Sequence, residues 1–150
     1  MIDNPSTIVL ITGGFDPIHS GHISYIKAAR EYAKNKCDKL IIGVNSDQWL
    51  VRKKGKFFLP FEERSCIVSS IKGVDDVIGF NDDDNTAKEA ILVIRKQYPS
   101  SIIIFANGGD RNKDNIPEMD CADKNVAFVF GVGGSNKQNS SSWILNNWSK

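Results

Sequence analysis

Gly13-Gly14-Phe15-Asp16-Pro17-Ile18-His19-Ser20-Gly21-His22 is the stretch on which the reading of this chain turns. It follows Thr7-Ile8-Val9-Leu10-Ile11, a β-branched apolar run of the kind that forms a strand buried on both faces. After it, Ile23, Ile26, Ala29 and Ala33 recur at a spacing of about 3.6 residues, so a helix begins near Ser20, with Ser20 as its N-cap. Strand, glycine turn and helix together bring free N–H groups and the positive end of a helix dipole to one point, which makes an anion site. Gly13 and Gly14 carry no Cβ and let the backbone approach a ligand, while Pro17 stiffens the turn. His19, just before the helix, and His22, in its first turn, are placed to reach whatever the dipole holds. Glycine pairs alone mark any tight turn. The information lies in the order: buried strand, glycines, proline, two histidines.

Outward from this stretch, strands and helices alternate. The first helix is expected to end around Lys34-Asn35-Lys36, where cations suit a helix C-terminus. Lys39-Leu40-Ile41-Ile42-Gly43-Val44 reads as a second buried strand, and Val74 to Phe80 as a shorter third one near an edge. Between them Pro60 opens a helix with Glu62 and Glu63 in its first turn and Phe61, Ser65, Val68 and Ile71 on one face. Another helix carries Ala87, Ile91, Ile94 and Arg95 after the acidic loop Asp82-Asp83-Asp84. Strands Ser101 to Ala106 and Val126 to Phe130 follow, and a closing helix comes after Ser140. This alternation predicts an α/β fold over residues 1–150: a Rossmann-like, doubly wound, mainly parallel five-stranded sheet with helices on both faces, in a single domain.

In such folds ligands bind beyond the carboxyl ends of the strands. The polar residues of interest do follow strands. Asn45-Ser46-Asp47 comes after the second, followed by Val51-Arg52-Lys53-Lys54-Gly55-Lys56, which reads as a basic loop, mobile until a phosphate ligand orders it. A charge run is ordinarily a solvated face. At the same end of the sheet as a helix-terminus anion site, its lysines become candidates for closing over phosphates, as flexible point charges. Asn107-Gly108-Gly109-Asp110-Arg111 follows the fourth strand and is either a plain turn or a source of base and hydroxyl contacts. Ser140-Ser141-Ser142 is an N-cap run that doubles as a second phosphate cradle.

Composition narrows the class. Of 150 residues, 41% are apolar and 25% charged, which is the make-up of a folded globule, and a net charge of +1 supplies no general pull towards nucleic acid or membrane. No apolar run approaches the roughly 18 residues of a transmembrane helix, and Met1-Ile2-Asp3-Asn4-Pro5 has no secretory pattern, so a cytoplasmic protein is expected. Cys37, Cys66 and Cys121 are odd in number and far apart, which predicts reduced structural thiols rather than disulfides or metal ligands.

The segment His19-Ser20-Gly21-His22 resembles the His-x-Gly-His signature of the nucleotidylyltransferase superfamily, which is related to the class I aminoacyl-tRNA synthetases. Val44-Asn45-Ser46-Asp47, Pro60-Phe61-Glu62-Glu63-Arg64, Gly108-Gly109-Asp110 and Ser140-Ser141-Ser142-Trp143-Ile144 look like landmarks of its cytidylyltransferase-like group, in order and over nearly the whole chain. Within that group the chain is most similar to sugar-phosphate (heptose-phosphate) adenylyltransferases, with glycerol-3-phosphate cytidylyltransferases next. It departs from the pattern at Asn139, where the family has an apolar residue. It also lacks the arginine that cytidylyltransferases carry just upstream, with Lys137 the candidate to stand in for it.

The resemblance implies transfer of a nucleoside monophosphate from ATP or CTP to a phosphorylated sugar or polyol, with pyrophosphate leaving. It implies catalytic roles for His19, His22 and the lysines Lys53, Lys54 and Lys56. Nucleotide contacts would come from Gly13, Gly14, Phe15, Asp16, Asn107, Gly109, Asp110, Arg111, Ser140, Ser141 and Ser142, and substrate contacts from Asp47, Arg64 and Lys137. Mg²⁺ would come with the triphosphate, with no dedicated protein ligands. The implied partners are the triphosphate and the acceptor, without nucleic acid or membrane, and a homodimer is a compatible assembly. Two other outcomes stay open: adenylyl transfer to phosphopantetheine or nicotinamide mononucleotide, and a catalytically silent nucleotide-binding domain.

Overall fold

The computed structural model describes residues 7–108, 117–121, 123–133 and 141–148. Five strands, β1 (Thr7–Gly13), β2 (Lys39–Val44), β3 (Asp76–Gly79), β4 (Ile102–Ala106) and β5 (Val126–Val129), form one sheet in the order β3-β2-β1-β4-β5. Every neighbouring pair is parallel, so the sheet expected to be mainly parallel is wholly so. The chain winds outward from β1 to β2 and β3, then returns to the other side of β1 for β4 and β5. The order therefore reverses between β1 and β4, and the crevice beyond their carboxyl ends is where such sheets take ligands.

Alternation along the strands sends side chains to two cores. Val9 and Ile11 of β1, Leu40, Ile42 and Val44 of β2 and Ala106 of β4 pack with Ile26 and Ala29 of α1 (Ser20–Arg30) and Val68 of α3 (Phe61–Ser69). Ile8, Leu10, Ile41, Ile103 and Phe105 face the other way, against Ala90, Ile91 and Ile94 of α4 (Lys88–Gln97). Helices thus cover both faces, which is why the strands read as unbroken apolar runs.

Several boundaries differ from the sequence expectation. Helix α1 ends at Arg30, not near Lys36. Glu31, Tyr32 and Ala33 instead donate their N–H groups to the carbonyls three residues back, so the apolar stripe carries on to the buried Ala33 through a tightened turn. Strand β3 is only Asp76–Gly79 and lies at the sheet edge, as its weaker pattern suggested. Residues 51–54, expected as part of a basic loop, instead belong to helix α2 (Asp47–Lys54). Ser46 caps it by accepting from the Trp49 N–H, and Gly55 closes it in the left-handed conformation, φ 91°. On α3 the buried positions are Arg64 and Val68, so a charged residue stands on the face assigned to apolar ones. Cys37 and Cys66 are free, as expected, but exposed, and so take no part in packing. The last described helix is α5 (Ser141–Trp148).

Candidate active site

The turn between β1 and α1 is built by its own side chains. His19, not Ser20, is the N-cap of α1, and its Nδ1 accepts from the Gly21 N–H at 3.0 Å. His22 reciprocates: its Nδ1 accepts from the His19 N–H at 3.2 Å. The two histidines therefore make the kind of reciprocal capping box usually built from Ser or Thr and Glu. The consequence is chemical. With each Nδ1 serving as an acceptor, the neutral rings carry their proton on Nε2. The rings lie 4.0 Å apart between centroids, tilted by 32°, so two N–H donors are held side by side at a helix N-terminus.

Burial pushes the His22 imidazole down from 6.5 to about 4, with the nearby charges of His19 and Lys54 adding to it. His22 is thus a neutral donor throughout the physiological range. The same shift predicts how acid acts on the fold. Between pH 6.5 and about 4 the unfolded chain binds a proton that the native ring refuses, so stability falls as pH falls through that window. The loss attributable to His22 is about 2 kcal/mol after allowing for the ring's partial exposure. Urea unfolding at pH 7 and pH 4 checks this: His22→Gln is expected to lose less stability across the window than the parent protein, and an equal loss would remove His22 as the cause.

Phe15, buried and at a positive φ of 52°, packs on the His22 ring with centroids 5.0 Å apart. A non-glycine residue in the left-handed region is held there only when its surroundings fix it, as they do here. The glycines beside it are needed for packing as much as for ligand approach. A Cβ on Gly13 would meet the Phe15 ring at 3.2 Å, and one on Gly14 would meet Leu50 at 3.0 Å and Trp49 at 3.3 Å. The side of the turn that a Cβ would occupy is covered by α2.

Helix α2 delivers the cations. The Lys54 ammonium donates to the Asp16 carbonyl at 3.1 Å, which places it on the turn beside His22. Partial burial pushes its pKa down, Asp16 opposes that shift, and Lys53 and Arg64 reinforce it. Lys53 sits over the Trp49 ring, 4.6 Å from the centroid, and Lys56 is exposed beyond the helix. The basic cluster is thus divided, with Lys54 at the turn.

Some of the residues expected to touch ligand make their hydrogen bonds within the protein, as structural ties beneath the site. The Asp16 carboxylate is buried and accepts from the N–H groups of Phe58 and Leu59 at 2.6 and 2.7 Å, fastening the segment after α2 to the glycine turn. Arg64 is 1% exposed and donates to the carbonyls of Leu59, Gly14 and Asn45 and to the Asp47 carboxylate at 2.6 Å. One guanidinium, with its forked set of donors, ties the exits of β1 and β2 to the start of α2. Lysine cannot reproduce that fork, so Arg64→Lys is expected to cost about 2 kcal/mol in a denaturant titration. An unchanged midpoint would mean that these bonds contribute nothing net.

On the other side of the switch point, the Asn107 amide donates to the carbonyls of Phe105 and Val129 at 3.3 and 3.2 Å, which joins the exits of β4 and β5. Tyr25 of α1, which the sequence reading missed, donates its hydroxyl to the Ala106 carbonyl at 2.6 Å and packs where a Cβ on Gly108 would stand. The Ser141 hydroxyl donates to the Pro17 carbonyl at 2.7 Å, bringing the start of α5 against the turn, with Ser142 exposed one position on. Gly109, Asp110, Arg111, Lys137 and Ser140 lie outside the described residues. The structure therefore gathers Gly13–Phe15, His19, His22, Lys54 and Ser141 around one helix start.

Comparison with known proteins agrees with this geometry. Residues 10–131 match the model of a family described as cytidylyltransferase-like. The bifunctional protein HldE of Aliarcobacter butzleri is 33% identical over 134 residues, which cover 86% of this chain and 25% of that protein. The HldE of Hahella chejuensis is 34% identical over 129 residues, covering 85% and 23%. The chain thus spans about a quarter of the length of these curated relatives. Among solved structures, the lipopolysaccharide core biosynthesis protein of Thermoplasma volcanium superposes with a TM-score of 0.60 at 22% identity, over 89% of this chain and 98% of that one. A Vibrio parahaemolyticus protein assigned as a nicotinate-nucleotide adenylyltransferase gives 0.58 at 16%, over 94% and 85%. No described helix is long and apolar enough to cross a membrane. With a family match over most of its length and its paired histidines at the helix start, the chain belongs to the cytidylyltransferase-like family of nucleotidyltransferases.

Proposed function

We propose that this protein transfers a nucleoside monophosphate from ATP or CTP to the phosphate of a phosphorylated sugar or polyol. The observation that carries the proposal is the reciprocal capping of His19 and His22, which leaves each neutral ring with its proton on Nε2, with the Lys54 ammonium alongside. An acceptor phosphate oxygen attacks the α-phosphorus, the bond from that phosphorus to the bridging oxygen breaks, and pyrophosphate leaves. Such a reaction needs in-line placement and charge stabilisation rather than a covalent protein intermediate. The histidine donors serve the α-phosphate and the leaving oxygen, Lys54 neutralises charge growing on pyrophosphate, and the start of α5 at Ser141 receives the distal phosphates. The triphosphate enters as its magnesium complex, the ion arriving with the substrate.

The sugar-phosphate acceptor is supported by the HldE relatives at about a third identity over most of this chain. The Vibrio neighbour favours a second reading, adenylyl transfer to a nicotinate or nicotinamide mononucleotide. The deciding experiment pairs each of the four nucleoside triphosphates with a panel of phosphorylated sugars, polyols and mononucleotides and scores pyrophosphate release. A sugar or polyol phosphate should give the highest kcat/KM. Turnover with mononucleotides alone would establish the second reading, and binding without turnover would make the domain a silent one.

The phosphate-binding parts are generic, so selectivity has to come from groups that can leave the wrong ligand with an unpaired hydrogen bond. Asp110 and Arg111 fill that role in this proposal. Asp110→Asn and Arg111→Ala are each expected to change the ATP-to-CTP ratio of kcat/KM, or the ranking of acceptors, by about tenfold or more. An unchanged ranking in both variants would put selectivity elsewhere.

A further inference from the structure

Helix α2 is a two-turn helix with a single buried residue, Leu50. A helix that short has little stability of its own, so what holds its ends decides where its side chains go. Beyond the Asp47–Arg64 pair and the Lys54 bond to the turn, it is held from the far side by Asp82, with Asn85 beside it. We propose that Asp82, just past β3, is a positioning residue for the active site: it clamps the start and the rotation of α2 so that the helix presents Lys54 to the glycine turn.

Asp82 is 2% exposed, and its carboxylate is saturated by the segment that leads into α2. One oxygen accepts from the Asn45 amide at 3.0 Å and the Ser46 N–H at 2.8 Å, and the other from the Ser46 hydroxyl at 2.6 Å. Because that hydroxyl gives its proton to Asp82, its lone pair stays aimed at the Trp49 N–H, 3.0 Å away, which is the N-cap bond of α2. The clamp therefore reaches the helix through its cap.

A second contact sets the rotation. Arg52 donates through Nη2 to the Asp82 carbonyl at 2.7 Å and through Nε to the Asn85 side chain at 2.9 Å, with its charge 3.7 Å from the Asp82 carboxylate. Successive residues of a helix turn by about 100°, so positions 52 and 54 point roughly 200° apart. Fixing Arg52 on the β3 side turns Lys54 to the opposite side, where its amine meets the Asp16 carbonyl. Arg52 is thus withdrawn from the basic cluster in order to aim it. Burial raises the Asp82 carboxyl, but the bonds from Ser46 and Asn45 and the Arg52 charge outweigh that and hold it below the usual range. The clamp is charged at neutral pH.

The kinetic consequence rests on the transfer activity proposed above; the geometric one does not. The test uses the full chain and the variants Asp82→Ala and Arg52→Gln, each checked for folding by circular dichroism. Competitive acylation across a pH series, read by mass spectrometry, titrates each lysine amine, with the exposed Lys72 as the internal reference. In both variants Lys54 is expected to titrate closer to an ordinary surface lysine while Lys72 is unmoved. In the best nucleotide–acceptor pair, kcat is expected to fall on the order of tenfold with little change in the KM for triphosphate, as misplacement of a catalytic group does. Lower thermal stability with Lys54 titration and kcat unchanged would show a merely structural role and overturn the proposal. Should Asp82→Ala fail to fold, Arg52→Gln, which removes only the rotational tie, decides on the same two readouts. Should the parent chain show no transfer activity, the Lys54 titration alone decides, so the two proposals fail separately.

Discussion

Replacing His22 with alanine is expected to lower kcat by on the order of a hundredfold to a thousandfold, about 2.7–4 kcal/mol of transition-state stabilisation, with KM within a few-fold of the parent. The size follows from what the ring supplies. Its Nδ1 is committed to the His19 N–H, so its Nε2–H is a fixed donor at a helix start, and burial keeps it neutral to about pH 4. A donor fixed in advance matters most where negative charge develops, that is, in the transition state rather than in the bound triphosphate. The substitution also removes half of the capping box, which costs the helix about 1 kcal/mol. A denaturant titration separates that loss from the kinetic one. His22→Asn is the sharper probe, because a side-chain oxygen can still accept from the His19 N–H while the imidazole donor is gone. It should regain most of the stability and little of the rate. Normal turnover in His22→Ala would end the mechanism.

Replacing Lys53, Lys54 and Lys56 together is expected to lower kcat/KM by on the order of a thousandfold, because charge building on the leaving pyrophosphate would go unmet. The structure divides this effect unequally. Lys54 is seated on the Asp16 carbonyl beside His22, Lys53 lies over Trp49, and Lys56 is exposed. Lys54→Met alone should therefore reproduce most of the triple loss, and Lys53→Met and Lys56→Met should each stay within about tenfold of the parent, as weak, screened charges do. Stability should change by about 2 kcal/mol or less in the triple variant, since what is lost is the Lys54 bond to the Asp16 carbonyl, the Lys53 contact with Trp49 and favourable dipole contacts. Full kcat/KM in the triple variant would reduce the cluster to a solvated charge run.

The architecture was legible in the sequence because both its signals are local. Ile8 to Ile11, Leu40 to Val44 and Ile102 to Phe105 are continuous apolar runs, which only a strand covered on both faces calls for. The placing of His19 and His22 at a helix start was legible for the same reason: a buried strand, a glycine pair and the start of an apolar stripe are read from neighbours along the chain. Helix α2 was not, because a two-turn helix with one buried residue leaves no stripe to read. Its start signal, Ser46-Asp47, and its stop signal, Gly55, were visible, but the lysines between them read as a loop.

What the sequence could not supply is which polar groups turn inward. Asp16, Arg64 and Asn107 have the residue types of ligand contacts, yet their hydrogen bonds go to backbone groups of the strand exits and of the segment after α2, or to a paired carboxylate. Asp82 read as one of three acidic loop residues, yet it is the one buried against Ser46. Inward or outward is decided by partners 17 to 50 residues away, such as Asp47 and Gly14 for Arg64, that only the folded sheet brings alongside. Periodicity and short motifs report a residue's neighbours along the chain. A buried charge is stable only with its neighbours in space, so its role is settled by tertiary structure.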